Sequence, residues 1–363
     1  MKRIKILDSL RGLAAFIVVF HHIYTRLPHL FESFHPYLNK VFNIVSELNV
    51  EAVIFFFILS GFSIRLSLRN DIVMKKENIN EYLYRRFKRI LPLYFITLIV
   101  TFLVGFIINQ THITDFSIKN LIGNIFFLQI SKSYEGYWFA PYGNNGPLWS
   151  LPFEMFYYLF FPLFFIFLKK AFSGRIFGNK FIEFGLIVSL LISLVATVLN
   201  KYFFFPYIAY STLFYCWYVG FFIAHIYMKN EIKLYINFFI VITIGILLFV
   251  LYKFTLAATL MNLFVGGAIA FLIYLTLLLT KTPFRKVLSI IESIFNFLFY
   301  KVGKGSYALY LLHYPILLLV IQYKEKINLF FVGIIFIVIA ILCRYIEEEL
   351  EKRKFLFFKI KYL

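Results

Sequence analysis

The stretch LRGLAAFIVVFHHIY, residues 10–24, is apolar from end to end except for Arg11 near its start and His21-His22 near its close. A membrane-spanning helix needs about 20 mostly apolar residues. Nine further stretches meet or approach that length: 49–66, 90–109, 148–168, 182–199, 205–226, 234–251, 256–279, 306–323 and 329–345. Residues 121–130 are apolar but too short to cross, and read as an interfacial or re-entrant piece. Residues 290–300 read as a juxtamembrane helix. The expected fold is therefore all-α: one polytopic transmembrane helix bundle of about ten spans over residues 1–363, with no appended soluble domain and no cleavable leader.

Composition agrees. Hydrophobic residues make up 61% of the chain and charged ones 15%, against about 45–50% apolar and about 25% charged in soluble domains. The excess apolar surface requires the lipid bilayer as its partner. The net charge of +19 first suggests nucleic acid, but its distribution is topological. With the N-terminus inside, the inner segments hold 27 Lys and Arg and the outer loops 8, while Arg11 and Arg65 lie within spans. That asymmetry follows the positive-inside rule and predicts both termini in the cytoplasm, with no nucleic-acid partner. Cys216 and Cys343 stand far apart in apolar surroundings and form no disulfide or metal framework. P-loop, GxGxxG, GxSxG and HExxH patterns are all missing from the sequence. His29 and His35 share an outer loop without a third ligand, so no metal site is expected.

Ionisable groups inside spans are costly and mark function by default. Arg11 and His22 are eleven residues apart, about three helical turns, so they share one face about 16 Å apart along the axis. Each also has a plain reading: Arg11 snorkels to the interface and His22 hydrogen-bonds a neighbour. Glu154 is the acid placed clearly within a span, at a depth comparable to His22. A carboxylate there could orient an imidazole base, or be a paired structural acid. His313 either lines a path or satisfies a carbonyl. The cluster Arg85, Arg86, Lys88 and Arg89 either meets lipid head groups or seats phosphates, for which the guanidinium fork is suited.

Six segments in order resemble the acyltransferase-3 family of bacterial integral-membrane O-acyltransferases. LDSLRGLAA (7–15) continuing to His22 is similar to its Arg-x10-His opening helix. AVIFFFILSGF (52–62) resembles its FFxLSGF segment, RFKRILPLY (86–94) its RxxR segment, and WSL (149–151) with Glu154, Tyr158 and Pro162 its WSL…E…Y…P motif. GSYALYLLHYP (305–315) resembles its late SYxxYLxH motif, and Glu347 its terminal acidic step. Glu349 stands where the family often has Pro, and Ile54 where an acid sometimes occurs.

The resemblance implies a membrane-embedded O-acyltransferase moving an acetyl group from cytoplasmic acetyl-CoA to a sugar hydroxyl of a cell-envelope or extracellular polysaccharide, in the bacterial plasma membrane. It implies His22, Glu154 and Arg11 in catalysis and Arg86, Arg89 and Arg11 on the CoA phosphates. Asp8, Ser60, Trp149, Ser150, Tyr158, Tyr310 and His313 would line the substrate path. A transporter or flippase for a lipid-linked glycan is the alternative; the inverted repeats common in transporters are not visible in the sequence.

Overall fold

A computed structural model describes residues 5–68, 76–110, 114–133, 136–172, 181–203, 206–229, 262, 266–267, 269 and 285–352. All regular structure among them is helical. The helices are α1 (Lys5–Arg26), α2 (Pro36–Glu47), α3 (Asn49–Ser67), α4 (Lys76–Ile107), α5 (Ile118–Ile125), α6 (Leu151–Phe172), α7 (Phe181–Phe203), α8 (Ala209–Thr212), α9 (Phe214–Lys229), α10 (Arg285–Lys304), α11 (Ser306–Ile321) and α12 (Leu329–Lys352). Among the described residues, seven helical stretches are long and apolar enough to cross a membrane, some of them joining two helices across a one-residue break. The count becomes eight if α10 and α11, bent by 68° to one another, supply one span together. These eight coincide with eight of the ten stretches expected from sequence; 234–251 and 256–279 lie outside the described residues.

Three elements depart from the simple reading. Residues 36–47 form a helix that sequence left in a loop. His35 caps it by accepting from the Tyr37 backbone N–H, and Pro36 stands at its first position, where a missing N–H costs nothing. At 12 residues it is too short to span, and Tyr37, Leu38, Val41 and Ile44 project outward from it. The span expected at 205–226 is broken at Leu213, between α8 and α9. The juxtamembrane piece expected at 290–300 is part of a 20-residue helix, α10, with Ile294 and Phe297 exposed on its outer face.

α1 packs against α3, α10 and α11, α3 against α9, and α11 against α4 and α12. Lipid supplies no hydrophobic drive for helix pairing, so close approach through small residues decides it. At the α1–α10 crossing a Cβ on Gly12 would strike the Phe299 carbonyl, and one on Gly303 the Asp8 carbonyl. At the α3–α9 crossing a Cβ on Gly61 would strike the Trp217 carbonyl, and one on Gly220 the Ile58 carbonyl. Aromatic rings fill the interior beside α9: Phe161 lies 5.1 Å from Trp217 and 4.9 Å from Phe221. The aromatic cluster at 160–165 thus serves in packing.

The long connection 110–147 is tied onto the bundle by buried amides. Asn124 Nδ2 donates to the Ala140 carbonyl at 2.8 Å. Gln129 Nε2 donates to the Leu148 carbonyl and the Tyr94 hydroxyl, both at 3.0 Å. Asn145 Nδ2 donates to Thr101 Oγ1 at 3.2 Å and the Leu311 carbonyl at 3.4 Å. Gly143 turns the chain at φ +59°, where a Cβ would meet Thr101 and Phe116. These bonds anchor the start of α6 and so the place of Glu154.

Candidate active site

Two adjoining cavities open between α1, α3, α4, α6 and α11 and share Arg11, Arg89, Ser306 and Tyr307 as walls. The larger, about 280 Å³, has five cations in its lining (Arg11, Arg85, Lys88, Arg89 and Lys304) against the acids Asp8 and Glu347. The smaller, about 60 Å³, lies on the other side of Arg11 and is walled by Val53, Phe56, Phe57 and Leu151 together with Ser60, Ser150, Glu154 and Tyr310. Arg85, Lys88 and Arg89 of the basic wall fall within about one turn of α4. The helix starts at Lys76 and runs on through its apolar part to Ile107, so the RRFKR run at 85–89 is helical where it precedes Ile90.

Arg11 is set by its neighbours. Its Nη1 donates to Asp8 Oδ1 at 3.0 Å, three residues earlier on the same helix, and its Nη2 to Ser63 Oγ on α3. Asp8 is buried, and a buried charge is tolerated when paired and hydrogen-bonded. The pair keeps a guanidinium edge at the junction of the cavities.

Glu154 does not meet His22. Its Oε1 accepts from Ser60 Oγ at 2.9 Å and from the Tyr158 hydroxyl, while Trp217 Nε1 donates to Ser60 Oγ at 3.2 Å. The orienting pair expected from comparable depth is thus replaced by a Ser60–Glu154–Tyr158 cluster, of which Ser60 and Glu154 line the inner cavity while Tyr158, expected along the path, lines neither cavity. Equal depth in a membrane places two groups on one plane but says nothing about which helix faces intervene.

His22 instead stands against α11. Its ring centroid is 5.3 Å from that of His313 and 5.0 Å from that of Tyr314. His21 turns the other way, its Nδ1 at 2.9 Å from the Ser46 carbonyl at the end of α2. His313 is wholly buried, with Nδ1 at 3.0 Å from the Leu309 carbonyl. Tyr310 connects this pair to the inner cavity. Its hydroxyl donates to the Pro147 carbonyl at 2.9 Å and lies 2.7 Å from Ser150 Oγ, and its ring is 6.1 Å from His313.

Of the residues expected to hold phosphates, Arg11 and Arg89 line both cavities, and Arg86 lines neither. The Arg86 guanidinium is buried between the rings of Tyr82 and Tyr158, 5.9 Å from each centroid. On a helix, positions 85, 88 and 89 centre on one face, and 86 points about 100° away from its middle. Trp149 also stands off both cavities, half-buried with its ring edge-on to Phe153 at 5.4 Å. Sequence reading gave no role to Lys304, Ser306 or Tyr307. Their signal is the run GKGS at 303–306, which breaks α10 from α11 and turns these side chains toward the basic cavity.

Residues 4–346 match the family model for an acyltransferase domain. A curated relative, "Acyltransferase MdmB" of Streptomyces mycarofaciens, is 31% identical over 127 residues, which is 35% of this chain and 31% of the relative. The aligned part thus spans about a third of either protein. No solved structure matches the chain.

Proposed function

Since the chain belongs to the acyltransferase-3 family and is a multi-pass membrane acyltransferase, we propose that it transfers an acetyl group from acetyl-CoA on the cytoplasmic side to a sugar hydroxyl of an envelope or extracellular polysaccharide in a bacterial plasma membrane. The observation that carries this reading is the joined pair of cavities, cationic on one side of Arg11 and small and mostly apolar on the other. A CoA thioester has that polarity: phosphates at one end, a short acyl group at the other.

The residues present fit such a donor. Arg85, Lys88, Arg89 and Lys304 would meet the phosphates, where charge-assisted bonds are strong. Lys304 is shared with Glu348 at 3.2 Å and Arg11 with Asp8 at 3.0 Å, while Arg89 lines both cavities, where a donor spanning them would pass. The acyl group would enter the inner cavity. The cavity's small size and its walls of Val53, Phe56, Phe57 and Leu151 suit a short apolar acyl group better than a longer one ending in a carboxylate. For the transfer the thioester is carried from the inner cavity toward His22, which lines neither cavity. The acceptor O–H bond breaks, its proton passes to His22, its oxygen attacks the thioester carbonyl, and the C–S bond breaks to leave CoA thiolate, which regains a proton. The 27-to-8 distribution of Lys and Arg supports placing the basic cavity on the cytoplasmic side.

The test is purified protein in nanodiscs with labelled acetyl-CoA, and mass spectrometry of envelope glycans from cells with and without the gene. The expected results are saturable acetyl-CoA binding and one acetyl per modified repeat lost in its absence. Unchanged glycans together with no acetyl-CoA binding would overturn the reading. Two variants sharpen it. Arg89→Ala is expected to weaken acetyl-CoA binding at least about tenfold, about 1.4 kcal/mol, by isothermal titration. Phe56→Ala, which removes a wall of the inner cavity, is expected to raise succinyl-CoA use relative to acetyl-CoA by about tenfold in a competition assay, a few methylenes of pocket selectivity.

A further inference from the structure

His313 stands between the inner cavity and His22. Tyr310, a wall of that cavity, lies 6.1 Å from the His313 ring on one side, and the His22 ring lies 5.3 Å away on the other. Neither described cavity includes His22. A carbonyl oxygen only accepts, so the 3.0 Å contact of His313 Nδ1 with the Leu309 carbonyl puts the ring proton on Nδ1 and leaves the lone pair on Nε2. That Nε2 is buried with no hydrogen-bond partner in the structure, on a residue that is 0% exposed. Buried polar atoms are nearly always satisfied, and an exception calls for a reason. A vacant basic nitrogen held in one tautomer is what a proton carrier needs.

Resting on the acyltransferase reading, we propose that His313 is a positioning and proton-carrying partner of His22, its unpartnered Nε2 receiving in turn the proton that His22 takes up. The acceptor hydroxyl gives its proton to His22 as its oxygen forms the new C–O bond. The C–S bond of the thioester breaks, and the proton held by the pair returns through His313 to the thiolate on the donor side. One proton leaves the hydroxyl and one arrives at sulfur, so the pair ends as it began. Two stacked rings hold one positive charge far more readily than two, which suits a pair that loads and unloads once per cycle. Among the described residues, the other charged or titratable groups against the pair are His21 and Arg26 of α1 and Tyr310 and Tyr314 of α11, with Arg26 Nη2 donating to the Tyr314 hydroxyl at 2.6 Å.

The test variant is His313→Asn. Its amide nitrogen can take the place of Nδ1 on the Leu309 carbonyl, while nothing replaces Nε2. The expected result is a kcat at least about 100-fold lower, within the usual range for a lost acid–base group, with acetyl-CoA Kd within about twofold of wild type and one limb of the kcat–pH profile removed. A kcat within about threefold of wild type, with an unchanged profile, would overturn the proposal. A second readout needs neither turnover nor a variant. In wild-type protein labelled with 15N-histidine, the His22 and His313 signals are expected to titrate together in shared macroscopic steps, and independent titration of the two rings would overturn it. Coupled titration in a protein that binds no acetyl-CoA would strike the acyltransferase reading instead and leave the proton pair standing.

Discussion

Replacing His22 by Ala is expected to lower acetyl transfer by about 10²–10⁴-fold while leaving acetyl-CoA binding within about twofold. The two effects separate because the described cavities that would hold the donor do not touch His22. The ring is half-buried between α1 and α11, against His313 and Tyr314. Its removal leaves a modest gap and takes away the base without disturbing Arg11, which lies three turns along α1 and is held by Asp8 and Ser63. The measurement is the kcat for labelled acetyl transfer in nanodiscs, with calorimetric Kd for acetyl-CoA on the same preparation. Wild-type turnover would remove His22 from the chemistry. Lost binding with it would mean that the variant had disturbed the fold.

The largest effect on the fold is expected from Gly61→Val and Gly220→Val. α3 and α9 meet backbone to backbone, since a Cβ on either glycine would strike a carbonyl of the other helix, Trp217 from Gly61 and Ile58 from Gly220. A carbonyl cannot rotate aside as a flexible side chain can, so the helices must separate. Overpacking costs about 1–3 kcal/mol where a core can shift, and more is expected here. Membrane helices are held together by such close packing with little else to replace it. Function would fail through position as well. Ser60 neighbours Gly61 and bridges Trp217 of α9 to Glu154 of α6, so a displaced α3 breaks that cluster at the inner cavity. The expected readout is a lowered thermal midpoint in detergent and early elution as aggregate, with Gly61→Ala milder than Gly61→Val. Gly333 is the control, because a Cβ there meets nothing within 4 Å. Gly333→Val is expected to behave as wild type, and a Gly61→Val protein as stable as that control would refute the contact.

What sequence by itself determined was everything that follows from the cost of placing polar groups in lipid. The length and apolarity of the stretches set the all-helical class, and eight of the expected spans reappear as helices or a bent pair among the described residues. The cost of a buried charge singled out Arg11, Glu154 and the cationic run before Ile90, and Arg11, Glu154 and Arg89 all line the inner cavity. Periodicity also put Arg11 and His22 on one face of α1.

Tertiary structure alone decided which faces meet. Residues on different helices at one depth can sit side by side or be divided by a third helix, and nothing in a linear pattern distinguishes these. Glu154 therefore pairs with Ser60 and Tyr158, and His22 with His313, 291 positions further along the chain. The same holds for Arg86, which turns from the cavity into the rings of Tyr82 and Tyr158, and for Lys304, delivered to the basic wall by the 68° bend after α10. Helical pitch and the transfer cost of charge are local properties that each segment carries with it. The rotation of one helix against another is set by close contact at glycines such as Gly12 and Gly61, and that exists only once the chain has folded.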